Sequence, residues 1–160
     1  MTQTPRYFER FATYFSRPVA EHAAHTLANG AEMEIRISQS DDAIIETFTF
    51  TRKDKKNALL PTPAKSPQMI FALTPDAAES ILSNPSDDIG QIGVHILKLA
   101  FSTDAHQRVK FQFKAGFLTL FTKGYLGVMT TGGAAFSAAL AEKGFNSLGA
   151  IKKVLQKMRG

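Results

Sequence analysis

The sequence predicts a single domain of the α+β class, and three observations lead to this prediction. Apolar residues recur at helical spacing near the N-terminus, alternate with polar residues from about residue 32 to 51, and then return to helical spacing. A chain of 160 residues is long enough to bury one real core, whereas two domains would each be undersized. The hydrophobic fraction of 44% and the charged fraction of 21% are those of a globular protein.

Composition and charge exclude several classes of protein. The absence of cysteine rules out disulfides, thiolate metal sites and a cysteine nucleophile, and it fits a reducing compartment. Neither a signal peptide nor a run of about 18 uncharged apolar residues is present, so we expect a cytoplasmic protein. The formal charge of +5 eases association with anionic surfaces without selecting one of them.

Two helices are predicted at the N-terminus. Residues 4–15 carry an aromatic stripe at helical spacing, and such a stripe usually packs on the domain. Ser16 is placed to cap a second helix with Pro18 in its first turn, and Asn29 and Gly30 are good terminators for it. The stripe consists of Tyr7, Phe8, Phe11, Tyr14 and Phe15.

The period then changes to two, which predicts a β-hairpin. Met33, Ile35 and Ile37 alternate with polar residues, residues 40–42 supply a turn, and a second alternating run covers residues 44–51. Residues 52–67 contain the charged run KDKK and three prolines. We expect this segment to be a polar, solvated connection without a strand.

A third strand and two capped helices follow. Residues 68–73 form the strand, and Thr74-Pro75-Asp76 has the residue types of a helix start. A second start at residues 86–88 opens a helix that ends near Ser102 and is apolar over much of its circumference. Such a helix is expected to be buried on more than one side.

Residues 108–122 fit two periods, and the sequence leaves them open between helix and strand. Val109, Phe111 and Phe113 alternate, as in a strand, but apolar residues from 109 to 121 also fit the helical period. The length of the run favours a helix from about residue 104 to 123, with Gly124 as its natural stop. Residues 125–130 are then predicted to form a fourth strand.

Two further helices complete the prediction. Gly132 and Gly133 turn the chain into a helix with the sequence AAFSAALAEKG. Residues 146–160 are predicted to form a last helix, amphipathic and basic, in which Ile151 and Leu155 face one way while Lys152 and Lys153 face water.

Catalytic and metal-binding patterns are scarce. The chain has no nucleophile elbow, no phosphate-binding loop and no dinucleotide fingerprint, so we expect neither catalysis nor a cofactor. His22 and His25 have the spacing of metal ligands, but no further ligand follows at a recognisable distance, so no metal site is expected. Phe111 and Phe113 interleave with basic residues, yet the run continues into GFLTLF, which argues against nucleic-acid binding.

Glycines interrupt the apolar helices at Gly90, Gly93 and Gly116. Alanine at each position would favour the helix by roughly 1 kcal/mol. The glycines therefore indicate either close packing or an internal space, and an ordinary tight core explains the same composition.

Three stretches resemble the sterol carrier protein 2 family. They are MIFALTPDAAESIL, similar to the family's strand followed by a helix; FLTLFTKGYLGVMTTGG, similar to its helix, glycine and strand passage; and AAFSAAL, similar to its closing helix. The similarity covers about residues 20–140. Four features depart from the family pattern: the proline-rich loop before the third strand, a longer apolar segment in place of the family's small loop between its late helices, the aromatic helical extension 1–17 and the basic helix 146–160.

The resemblance implies a twisted, mostly antiparallel sheet of about four to five strands, covered by helices and enclosing an apolar tunnel. A fatty-acyl chain, sterol, isoprenoid or quinone would bind there. By position in the pattern, the tunnel would be lined by Phe71, Leu73, Ile92, Ile96, Leu99, Phe113, Phe117, Leu120, Phe121, Leu126, Val128, Phe136 and Leu140. A lid or membrane-facing surface would comprise Ile151, Lys152, Lys153 and Leu155.

The sequence therefore leads to the hypothesis of a non-catalytic lipid-binding or lipid-transfer domain that touches anionic membrane transiently. The alternative is an interaction or scaffold domain with a closed core, accessory to lipid or quinone metabolism. A homodimer or a partner protein could cover its apolar surface.

Overall fold

The computed structural model describes residues 6–125, 127, 131 and 133–142. The elements are α1 (Tyr7–Phe15), α2 (Pro18–Ala23), β1 (Glu32–Ser38), β2 (Ile44–Lys53), β3 (Lys56–Leu60), β4 (Met69–Leu73), α3 (Pro75–Leu82), α4 (Ile89–Ala100), β5 (Val109–Phe113), α5 (Phe117–Thr122) and α6 (Gly133–Glu142). This arrangement confirms the α+β class.

The five strands form one mixed sheet in the order β3-β2-β1-β4-β5. Three neighbouring pairs are antiparallel, and β1 and β4 in the centre are parallel. The predicted hairpin is β1 with β2, in which Ile35 lies opposite Phe48. Because β1 and β4 are parallel, the chain crosses over between them. β3 forms a hairpin with β2 and lies at the edge of the sheet opposite β5.

The sheet has an inner face covered by helices and an outer face. Alternate residues of each strand point to opposite faces, so Ile35, Phe48 and Phe71 share the inner face with Leu73 and Val109. These residues form the main core with apolar side chains of α1 and α3. Part of the outer face is covered by residues 61–67, where the hydroxyl of Thr49 donates to the carbonyl of Thr62 at 2.7 Å.

The aromatic stripe of α1 packs on the inner face of the sheet. Phe11 is buried, and its ring centroid lies 5.8 Å from that of Phe48. Phe8 meets the same ring edge to face, and its backbone N–H donates to Oε2 of Glu46 at 2.6 Å. A carboxylate at this position satisfies one of the unpaired N–H groups of the helix start. The structure thus places α1 as a cover of the sheet.

The prediction that residues 52–67 lack a strand is wrong. The KDKK run is a hairpin turn, since Asp54 and Lys55 have φ of 53° and 62° between β2 and β3. Two consecutive residues with positive φ give the turn whose twist suits a two-residue hairpin loop. The N–H of Lys55 donates to Oδ1 of Asn29 at 2.9 Å, which helps to hold this geometry.

The prediction of one helix over residues 104–123 is also wrong. Residues 109–113 form β5, antiparallel to β4, and only residues 117–122 are helical as α5. Phe111 lies opposite Phe71, and the two rings stack with centroids 4.9 Å apart. The pairing with β4 supplies hydrogen bonds and ring contacts that stabilise the strand. The spacing of apolar residues within 104–123 cannot show these contacts, because β4 lies elsewhere in the chain.

The strand predicted at residues 125–130 is contradicted by the described residues of that segment. Tyr125 and Gly127 are helical, as is Thr131, whose hydroxyl donates to the carbonyl of Gly127 at 2.8 Å. Gly124 has φ of +88°, in keeping with its predicted role as a helix stop. The helix predicted after Gly133 is confirmed as α6.

Three side-chain caps were predicted among the described residues, and two of them are confirmed. Oγ1 of Thr74 accepts from the N–H of Ala77 at the start of α3, and Asp88 accepts from Gln91 at the start of α4. The prediction that Ser16 caps α2 is wrong, because Arg17 occupies that position and Ser16 ends α1. The helix α2 is also shorter than predicted, ending at Ala23.

Replacing Thr74 with alanine is expected to lower the free energy of unfolding by roughly 1–3 kcal/mol, because a buried capping hydroxyl is lost. That hydroxyl also donates to the carbonyl of His106 at 2.7 Å and accepts from the N–H of Arg108 at 3.0 Å. Urea denaturation measures the change. Thr74→Ser keeps the hydroxyl and should cost under about 1 kcal/mol; equal losses in both variants would contradict this account.

Candidate ligand cavity

A cavity of about 1020 Å³ lies against the sheet, lined by side chains of α1, α2, α4, α6 and the inner face. Its floor includes Met33, Met69, Phe71 and Phe111. Ligand sites for small molecules are typically concave, mostly apolar and of roughly 300–1,000 Å³. The cavity has the size and lining of such a site.

One side of the cavity is formed by α4. Ile92, Gly93 and Ile96 line it, with Leu97 and Ala100 nearer the C-terminal end of the helix. The apolar side chains of α4 were expected to be buried on more than one side, but most of them are only half-buried. The reason is that they border open space instead of other side chains.

Gly93 permits α4 to approach α6 closely. A Cβ atom at this position would lie 2.8 Å from Cδ2 of Phe136. Both residues line the cavity. Close packing between α4 and α6 therefore explains the glycine at position 93.

The structure brings together seven of the residues predicted to line a tunnel. Those lining the cavity are Phe71, Ile92, Ile96, Phe113, Leu120, Phe136 and Leu140. Leu73 and Leu99 do not line it, because they are buried in the main core cluster. The other predicted site residues lie outside the described part of the chain: the side chains of Phe117 and Phe121, the residues Leu126 and Val128, and the predicted lid residues Ile151, Lys152, Lys153 and Leu155.

Sequence reasoning missed the contribution of α1 and α2. Phe11, Tyr14 and Phe15 line the cavity, as do Val19 and Ala23. The helical spacing of the α1 aromatics had indicated that they pack on the domain. It carried no information about which strands they face, so their place beside the cavity could not be read from the sequence.

Two tyrosines at the cavity have hydroxyl groups whose pKa is raised, and one of these hydroxyls is hydrogen-bonded. Burial raises the pKa of the Tyr14 hydroxyl and strongly raises that of Tyr125. The Tyr125 hydroxyl lies 3.0 Å from the carbonyl oxygen of Glu32 and 3.1 Å from Oε1 of Gln68, and its single proton can be donated to either oxygen. These phenols therefore add no charge to the cavity.

The cavity reaches both faces of the sheet at the β5 edge. All five residues of β5 line it, and successive strand residues point to opposite faces. On the outer face its lining includes Arg36, Asp42 and Lys110. The apolar interior is thus continuous with a charged surface.

A serine and a histidine meet elsewhere in the fold. Oγ of Ser80 on α3 lies 2.9 Å from Nε2 of His95 on α4, and neither residue lines the cavity. This contact joins α3 and α4.

His22 and His25 stack with ring centroids 5.2 Å apart, and within the described residues no group of three metal-ligating side chains is present.

No helix among the described residues has both the length and the apolar character needed to cross a membrane. Comparison of the chain with protein-family models, with curated proteins and with solved structures gives no match.

Proposed function

We propose that this chain binds or transfers an apolar lipid in the cavity beside the inner face and performs no chemistry on it. The observation that carries the proposal is the open, largely apolar cavity, about 1020 Å³ in all, whose greater part is lined by the inner face of the sheet and by helices. Burial of apolar ligand surface there would contribute about 25 cal/mol per Å² before the cost of ordering the ligand.

The resemblance to sterol carrier protein 2 supports the same function. It implies a tunnel between a sheet and covering helices, and it names fatty-acyl chains, sterols, isoprenoids and quinones as candidate ligands. On this proposal, residues 146–160 act as a lid or touch anionic membrane, and the protein works in the cytoplasm. A homodimer or a partner protein would cover exposed apolar side chains such as Ile44, Ile45 and Leu60.

Native mass spectrometry of the protein purified from cells tests the proposal, together with titration of a neutral fluorescent naphthylamine probe. We expect an added mass that organic solvent removes, and saturable probe fluorescence that a lipid displaces. A protein without bound lipid that also fails to bind the probe would refute the carrier function. That result would favour the closed-core interaction domain.

A further inference from the structure

We infer, resting on the proposed function, that the ligand is an amphiphile with an anionic head group, a carboxylate or a phosphate, which binds at the β5 edge. The site consists of Arg108 and Lys110 and is called the basic mouth below. The apolar chain of the ligand occupies the inner face, and the head group lies at the rim where the cavity meets solvent.

The charges of the cavity lining are concentrated at one place. Among the described lining residues, the basic side chains are Arg36, Arg108 and Lys110, and Asp42 is the one carboxylate. The interior beside α1, α2 and α4 is lined by apolar and aromatic side chains. A ligand that fills this space therefore meets net positive charge where it emerges.

Sheet register places Arg36 and Lys110 on the same face of the sheet, two strands apart. Lys110 lies opposite Ala72, which in turn lies opposite Arg36, so two basic residues flank a small one on the outer face. With strands about 4.8 Å apart, their backbones are roughly 10 Å apart. The ladder extends to Arg108, whose carbonyl accepts from the N–H of Thr74 at 3.1 Å.

Arg108 is the cation that is available to a ligand. Its backbone bonds to Thr74, but its exposed guanidinium makes no hydrogen bond or ion pair with any other described residue. Lys110 contacts Oδ1 of Asp42 at 3.3 Å, and Arg36 contacts Oε2 of Glu34 at 2.5 Å. A guanidinium offers a planar set of donors that suits a carboxylate or a phosphate.

An apolar side chain accompanies the basic mouth. Phe101, at the end of α4, lines the cavity and is 48% exposed. Inside the edge, the stacked rings of Phe71 and Phe111 provide an apolar surface that leads away from the mouth. The lining thus changes from charged at the edge to apolar inside, which matches a molecule with one charged end and one hydrocarbon chain.

Displacement of the neutral fluorescent probe by four ligands with the same chain tests the inference at neutral pH. The ligands are dodecanoate, dodecyl phosphate, dodecanol and dodecylammonium, each used below its micelle-forming concentration. We expect one or both anions to bind up to about fivefold more tightly than dodecanol, the upper end of the range given by a single exposed ion pair. Dodecylammonium should bind more weakly than dodecanol, and added salt should reduce the difference.

The double variant Arg108→Gln/Lys110→Gln is expected to lose the preference for anions and to keep its affinity for dodecanol. The control Lys53→Gln/Lys56→Gln removes the same charge from exposed positions at the β2–β3 turn and should keep the preference. Equal affinity of the wild type for anions and dodecanol overturns the inference alone, as does a preference for anions that survives in the Arg108→Gln/Lys110→Gln variant. Failure of all four ligands overturns the inference together with the carrier function.

Discussion

Replacing Gly124 with alanine is expected to lower the free energy of unfolding by roughly 3–5 kcal/mol, the range of the largest single-residue effects. Gly124 has φ of +88°, and a Cβ atom there would lie 1.8 Å from the carbonyl oxygen of Thr26. The obstacle is backbone, so no side chain can turn aside to relieve it. The same contact is held by hydrogen bonds, since the Thr26 hydroxyl donates to the Gly124 carbonyl at 2.9 Å.

Gly30 provides the matched control for this substitution. Its φ of +86° is almost the same, but no atom lies within 4 Å of the position that a Cβ would take. Gly30→Ala therefore carries only the dihedral cost of about 1–2 kcal/mol. Urea denaturation of both variants, analysed with a common slope, measures the difference. Similar losses at the two positions would refute the steric account of Gly124.

Replacing Ala100 with phenylalanine is expected to weaken binding of the neutral probe at least tenfold while the domain stays folded. Ala100 lines the cavity near the C-terminal end of α4, and a phenyl ring would fill space that the probe needs. Ala100 packs against the main core cluster on one side, but it also borders the open space, into which the added ring can extend. The midpoint of urea denaturation should therefore stay close to that of the wild type.

Ala78→Phe is the corresponding change in a filled region. Ala78 lies on α3, is 0% exposed, belongs to the main core cluster and does not line the cavity. Overpacking there should cost roughly 1–3 kcal/mol or more. If Ala100→Phe destabilised the fold as much as Ala78→Phe and left probe affinity unchanged, the space beside α4 would not be a binding site.

The sequence predicted those elements whose signals are local. Thr74 and Asp88 cap helices through bonds that span three residues, and strict alternation marked β1 and β2. It missed β3 because the residues KNALL contain no β-branched or aromatic side chain and the turn before them lacks glycine. Only pairing with β2 makes this segment a strand.

The cavity was harder to predict because it depends on distant contacts. The spacing of apolar residues in 108–122 fits both a helix and a strand. The pairing with β4 is what makes residues 109–113 a strand. Likewise, Leu73 and Ile96 have similar side chains, yet the first lies in the solid core and the second beside open space. Apolar composition predicts burial, whereas the position of a void depends on how complete elements pack.

The position of β5 in the sheet bears on how the protein can open. β1 is bonded on both sides, to β2 and to β4, and its partner residues on β4 come 36 residues later in the chain, as with Met33 and Met69. Within the described sheet, β5 is bonded to β4 alone. A sub-global fluctuation that releases this edge breaks one ladder and leaves the central strands intact. The sheet can therefore open at β5 at a free-energy cost below that of global unfolding.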